Sequence, residues 1–258
     1  MNQLPLLDDA HPLQHIVNVA SVPQRSPFRY PGGKTWLVPR VRVWLASLAW
    51  RPRVFVEPFA GGGIVGLSAA FESLAEHVVM VERDPHVASV WRTILQGDAE
   101  WLAHAIESFD LNQATVAAEL QRQPATLEEM AFHTILRNRT SRGGIMAPGA
   151  GRLKNGENGK GIASRWYPET LSRRIHAIVA IRERITFIEG DGLAVAQQYA
   201  HDPQIAFFID PPYTASAKRA GSRLYLYSEV DHSELFRLAS TFAGDFLMTY
   251  DVAQELYT

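Results

Sequence analysis

Residues 53–84 read RVFVEPFAGGGIVGLSAAFESLAEHVVMVERD, and the order of patterns within them decides the fold class. Arg53–Glu57 is a short run of β-branched and aromatic residues, apolar on consecutive positions, as in a strand buried on both faces. Three glycines follow at 61–63, where the backbone can turn sharply and let a ligand approach closely. A helix through Ser68-Ala69-Ala70-Phe71 and a second strand, His77–Glu82, complete a strand–turn–helix–strand unit ending on an acid.

The same grammar extends outward. A helix from about Pro85 to Leu95 follows the second strand, and another at Trp36–Leu48 precedes the first. Ile185–Glu189, Ile205–Ile209 and Asp245–Thr249 are three further apolar strands. The expected fold is α/β and Rossmann-like, a mostly parallel sheet with helices on both faces. Residues 1–24, with scattered prolines and no sustained periodicity, are expected to form a flexible arm. Residues 98–136 read as mostly helical, and 137–167 as a basic, glycine-rich loop without amphipathic period. A loop of that length inside a domain is usually functional, so 98–167 is expected to be a recognition insertion. Residues 25–97 and 168–258 then form the catalytic domain.

Charge is unevenly placed. The formal net charge is −2, yet residues 137–184 carry +8 and the remainder −10. Phosphate binding follows the local field, so the basic stretch points to a nucleic acid as readily as to a solvated helix face. The chain has no cysteine, which excludes disulfides, thiolate nucleophiles and cysteine-ligated metal. The histidines show no tight ligand spacing, so no metal is expected. No apolar run is long enough to cross a bilayer and no signal pattern opens the chain, so the cytoplasm is the expected compartment.

Three motifs carry chemistry. In Val56-Glu57-Pro58-Phe59-Ala60-Gly61-Gly62-Gly63, a carboxylate beside the glycine turn disfavours a phosphate and suits a cationic ligand. Glu82, at the end of the second strand, stands where an acid would hold ribose hydroxyls. S-adenosyl-L-methionine, with an ammonium, a sulfonium and no phosphate, suits that pair better than a dinucleotide. Phe28-Arg29-Tyr30-Pro31-Gly32-Gly33-Lys34 resembles a phosphate-binding loop only superficially, because position 28 is not glycine and no strand precedes it. It reads instead as a loop over a cofactor, Lys34 meeting its carboxylate and Tyr30 packing on it, or as an ordinary turn before a helix.

Asp210-Pro211-Pro212-Tyr213 follows the strand Ile205–Ile209 directly. The amino nitrogen of adenine is a poor nucleophile because its lone pair is delocalised into the ring. Two oxygens that accept its N–H hydrogens favour a pyramidal nitrogen whose lone pair is free to attack a methyl group. The Asp210 carboxylate and the Pro211 carbonyl can supply them in a dry pocket, with Pro212 stiffening the turn. Tyr213 can stack on a base that has left the duplex.

Together these residues resemble the Dam-type class of adenine-N6 DNA methyltransferases. FRYPGGK is similar to that family's opening motif, VEPFAGGGIVGL to its cofactor motif and DPPY to its catalytic motif. NRTSRGG at 138–144, SRWYPETLSRRI and the spaced residues Tyr227, Glu229, Asp231, His232 and Leu235 extend the likeness over about 27–251. The resemblance implies cofactor contacts from Tyr30, Lys34, Glu82 and Asp210, with Gly33, Glu57, Phe59, Gly61 and Gly63 around them. It offers Asp191 as a further contact, although Asp191 equally suits an N-cap. In the family the insertion reads DNA, making Asn138, Arg139, Arg142, Lys154 and Lys160 candidate contacts. Lys218 and Arg223 belong to a loop expected to close over the target nucleotide.

The implied substrate is double-stranded DNA, and the implied setting bacterial or phage-encoded, with a cognate restriction endonuclease as an open second partner. A monomer or weak dimer suffices, since a palindrome can be methylated one strand at a time. The family continues past Leu247-Met248-Thr249 with a further pair of strands, whereas this sequence stops at Thr258; either the copy is truncated, which would expose a sheet edge, or the edge is completed otherwise. Methylation of RNA or of cytosine, and nucleic-acid binding without catalysis, are the alternatives. A flavin or nicotinamide enzyme is disfavoured by the Glu-Pro before the glycines.

Overall fold

The computed structural model describes residues 19–29, 33–144, 151–153, 156, 159–212 and 230–249. Five strands, β1 (Val54–Glu57), β2 (His77–Glu82), β3 (Ile185–Glu189), β4 (Ile205–Ile209) and β5 (Asp245–Met248), form one sheet in the order β3-β2-β1-β4-β5. Every pairing is parallel.

The consecutive apolar residues serve two cores at once, because side chains alternate across a sheet. Phe55, Val78, Met80, Phe187 and Phe208 enter the larger core. There they meet α1 (Val38–Ser47), α2 (Ile64–Phe71), α3 (Pro85–Leu95), α4 (Ala99–Ser108), α5 (Gln113–Gln121), α6 (Leu127–Thr140) and α7 (Pro168–Val179). Val54, Val56, Val79, Val81, Phe207 and Ile209 face the other way, onto α8 (Gly192–Tyr199) and α9 (His232–Ala239). Most helices start where the sequence supplies a cap. Asp84, Asp98, Asn112, Thr126, Asp191 and Asp231 each accept backbone N–H bonds at an N-terminus.

Two boundaries differ from the sequence reading. Leu102, Ile106, Val116, Phe132 and Ile135, from the stretch expected to open an insertion, lie in the same core as the sheet, so packing shows no break at 98. Helix α6 also runs on to Thr140, through the first residues of the expected loop. Asn138, Arg139 and Thr140 are buried there, and tertiary partners outweigh their weak helix preference. The loop's base is ordered by an antiparallel bridge between Ser141 and Arg152. Residues 1–18 of the expected arm lie outside the described residues, while Val22 beyond them is buried.

Beyond β1 the chain moves to β2 and β3 on one side, then returns to place β4 and β5 on the other. Crossovers therefore diverge above β1 and β4, the position where open α/β sheets leave a crevice for ligands.

Candidate active site

The glycine turn and the Asp-Pro-Pro segment both open into that crevice. They line a single cavity of about 870 Å³, shared with Gly33, Lys34, Glu57, Phe59, Glu82 and Asp191. The distance between the two motifs in the sequence is closed by the parallel pairing of β1 with β4.

The turn is held by contacts that leave little freedom. Gly61 and Gly63 have φ of +48° and +63°, a region costly for residues with a Cβ. A Cβ on Gly63 would stand 2.4 Å from Met80 Cε and 2.9 Å from Trp91. The Gly61 N–H donates to Glu82 Oε2 at 2.9 Å and the Gly63 N–H to the Ala60 carbonyl at 2.7 Å. Trp91 Nε1 donates to the Gly61 carbonyl at 2.9 Å, and Ser26 Oγ to that of Gly62. These two glycine N–H groups are thus spent inside the protein rather than offered to a phosphate.

Two acids sit beneath this turn. Glu57 is buried and accepts the Gly66 N–H at 2.8 Å; a Cβ on Gly66 would lie 2.4 Å from that same oxygen. Burial pushes the Glu57 carboxyl up to about 8, the Gly66 bond opposing the rise and the charges of Asp210 and Glu82 adding to it. Glu57 is therefore mostly protonated at neutral pH. Burial thus weakens the case for the Glu57 charge as the feature that selects a cationic ligand. Glu82 is raised to about 7, again mainly by burial and with the Asp84 charge adding to it. It accepts N–H bonds from Gly61, Arg83 and Asp84. Asp191 caps α8 through the Leu193 and Ala194 N–H groups, and its other oxygen lies 3.8 Å from Arg83. Gly192 beside it is pressed on Pro58, where a Cβ would stand 2.1 Å from the carbonyl.

Asp210, one residue beyond β4, is held by side chains from two distant elements. Lys34 Nζ lies 2.8 Å from Oδ2, and Thr249 Oγ1 donates to Oδ1. Thr249 is itself fixed by its N–H to the Ile209 carbonyl at 2.9 Å. Pro211 is buried and Pro212 half-buried on the cavity wall.

The residues expected to touch DNA divide. Asn138 is fully buried, its side chain accepting from the Arg29 N–H and donating to the Arg29 and Gly144 carbonyls. In this structure Asn138 is a brace, because every one of those bonds goes to the chain itself. Arg139 donates twice to the Pro27 carbonyl and also lines the cavity. Arg142 and Lys160 are exposed and not part of the cavity wall. Tyr30, Lys154, Tyr213, Lys218 and Arg223 lie outside the described residues. Sequence reasoning missed Ser26, Gly66, Trp91, Arg174 and Thr249. Only Thr249 had a visible signal, since it ends a strand beside the one that carries Asp210.

An all-parallel sheet with helices on both faces, a glycine turn after β1 and an acid at the end of β2 define a Rossmann-like methyltransferase fold. A model of the D12 class N6 adenine-specific DNA methyltransferases matches residues 30–253, and the chain belongs to that family. No curated protein sequence matches the chain. Among the described residues no helix is long and apolar enough to cross a membrane.

Proposed function

We propose that the chain transfers the methyl group of S-adenosylmethionine to the exocyclic amino group of an adenine extruded from double-stranded DNA. The observation that carries this reading is the one cavity that joins the glycine turn to Asp210 and Pro211. Two features support the cofactor. The turn's Gly61 and Gly63 N–H groups are internally bonded, which suits a ligand without phosphates, and Glu82 stands at the end of β2, the place for a ribose partner. Lys34, on the cavity wall, would meet the cofactor's carboxylate. When bound, the cofactor supplies an electrophilic methyl group on sulfur.

The chain's own residues then prepare the nucleophile. Each Asp210 oxygen keeps a lone pair beyond those taken by Lys34 and Thr249, so one can accept an amino hydrogen. The Pro211 carbonyl accepts the second, fixed in direction by the following proline. Both hydrogens drawn aside, the nitrogen's lone pair points towards the methyl group, a geometry fixed in advance rather than assembled during reaction. The product nitrogen is cationic and acidic and sheds its proton to water, so no strong base is required.

Radiolabelled methyl transfer to unmethylated duplex DNA, to RNA and to DNA lacking adenine tests the reading, with Asp210→Ala as control. Label in N6-methyladenine, from the unaltered chain only, is expected. Transfer to RNA alone or to cytosine would overturn the substrate, and DNA binding without transfer would overturn the enzyme. Sequencing of methylated DNA from expressing cells then gives the recognition site.

A further inference from the structure

The buried amide of Asn138, near the end of α6, binds two other stretches of backbone at once. Its Oδ1 accepts the Arg29 N–H at 2.8 Å, and its Nδ2 donates to the Arg29 carbonyl at 3.1 Å and the Gly144 carbonyl at 2.9 Å. Nδ2 carries two hydrogens, so each carbonyl can take one. The arrangement needs a donor and an acceptor on one short side chain. A carboxylate lacks the donor, and a serine hydroxyl lacks the reach.

The two stretches lead in opposite directions. Outward, Gly144 belongs to the base of the loop, where the Arg142 N–H donates to the Gly151 carbonyl and the Leu153 N–H to the Thr140 carbonyl. Arg142 and Arg152 are exposed on that base. Inward, residues 26–29 reach the glycine turn twice. Ser26 Oγ donates to the Gly62 carbonyl. The Phe28 ring centroid lies 5.6 Å from that of Trp91, whose Nε1 holds the Gly61 carbonyl. Ser26, Phe28 and Arg29 also line the cavity itself. The joint between the two stretches has no slack, since a Cβ on Gly144 would stand 2.0 Å from the Arg29 carbonyl oxygen. Close-packed contacts transmit displacement, so a shift of Gly144 passes to Arg29 rather than being absorbed between them.

We propose that Asn138 is a positioning residue that ties the glycine turn, and with it the methyl donor, to the loop base where the substrate duplex settles. This rests on the reading of the cavity as a methyl-transfer site. A duplex on the loop base holds Gly144 in place. Through one amide nitrogen it also holds residues 26–29 against the turn. Donor and duplex then favour each other's binding by the same factor. An amide that only stiffened the fold would support both ligands without linking them.

The test measures the dissociation constant of S-adenosylmethionine on the full chain, alone and with a saturating duplex carrying the motif that the chain methylates. The target adenine is replaced by an abasic site, so no base touches the donor directly. On the unaltered chain the duplex is expected to tighten donor binding about fivefold. Asn138→Asp keeps an acceptor for the Arg29 N–H and loses the donor to both carbonyls, so the tightening is expected to vanish. Ser26→Ala cuts the tie at the turn and leaves Asn138 in place, and is expected to bring the tightening below about twofold. Donor affinity that the duplex leaves unchanged or weakens on the unaltered chain overturns the link, and that measurement needs no variant. Full tightening kept by Asn138→Asp or by Ser26→Ala overturns it as well. Should Asn138→Asp fail to fold, Ser26→Ala decides, because it removes a single hydroxyl at the far end of the same path. Failure of the parent reading looks different, as absence of methyl transfer to any DNA.

Discussion

Glu57 and Asp210 stand at the tips of neighbouring parallel strands, one at the end of β1 and the other just past β4. They differ in what holds them. Glu57 is buried in the cavity wall beneath the glycine turn, with a backbone N–H as its partner, and burial raises its carboxyl to about 8. Asp210 faces the cavity and is held by two side chains, Lys34 and Thr249, from elements far away in sequence. The same strand-end position thus gives a buried acid held by backbone after β1 and a less buried acid braced by side chains after β4. The sheet sets the position, and the covering decides the chemistry.

The largest expected effect tests the proposed role of Asp210. Asp210→Ala should reduce methyl transfer by about a thousandfold or more, since it removes a preorganised acceptor from the transition state, while urea unfolding stays near that of the unaltered chain. Comparable loss of stability would make Asp210 a structural residue and erase the contrast. Gly63→Ala probes the glycine turn above Glu57. It adds the cost of a left-handed φ to a Cβ 2.4 Å from Met80, and should destabilise the fold by roughly 3 kcal/mol. A urea midpoint unchanged from the original would show that the turn is looser than its contacts imply.

Glu57→Gln should sharpen the contrast through pH. A carboxyl raised from 4.5 to about 8 keeps its proton in the folded chain after the unfolded chain has lost it. Stability therefore falls as pH rises from about 4.5 to 8, by up to about 1.4 kcal/mol per pH unit. Glu82, raised to about 7, adds to the slope below that value and is present in both proteins. From pH 7 to 8 the difference between the two proteins isolates Glu57, because Glu82 contributes equally to both. Over that range, the unaltered chain should lose roughly 1 kcal/mol more than Glu57→Gln. Parallel slopes in chemical denaturation would mean that Glu57 ionises normally.

What the sequence made legible follows the same divide. Runs such as HVVMVE and IAFFI admit one reading, because only a doubly covered parallel strand buries consecutive apolar residues, and β2, β3 and β4 stand where expected. The glycine turn was equally plain, since positive φ leaves a compositional mark. Side-chain roles were harder. Asn138 and Arg139 look like surface polar residues in NRTSRGG, yet long-range contacts to residues 27 and 29 draw them inside. The proton on Glu57 was hidden for a related reason: it depends on how deeply the folded chain buries the carboxyl, which no local pattern records.

Thr249 offers the smallest effect and the finest test of what distinguishes the Asp210 tip. Its hydroxyl fixes one carboxylate oxygen while Lys34 fixes the other, so together they choose a single rotamer. Removing one of two restraints leaves the acid in place but lets it swing. Thr249→Ala should therefore lower kcat about fivefold, roughly 1 kcal/mol, with KM little changed. Thr249→Ser keeps the hydroxyl and should recover most of the rate, while thermal melting stays alike in all three proteins because the backbone bond to Ile209 persists. Equal rates for Ala and Ser would mean that the hydroxyl does nothing for Asp210, leaving Lys34 as the group that orients the carboxylate. A shared fall in melting temperature would instead make Thr249 a residue that holds the fold rather than the carboxylate.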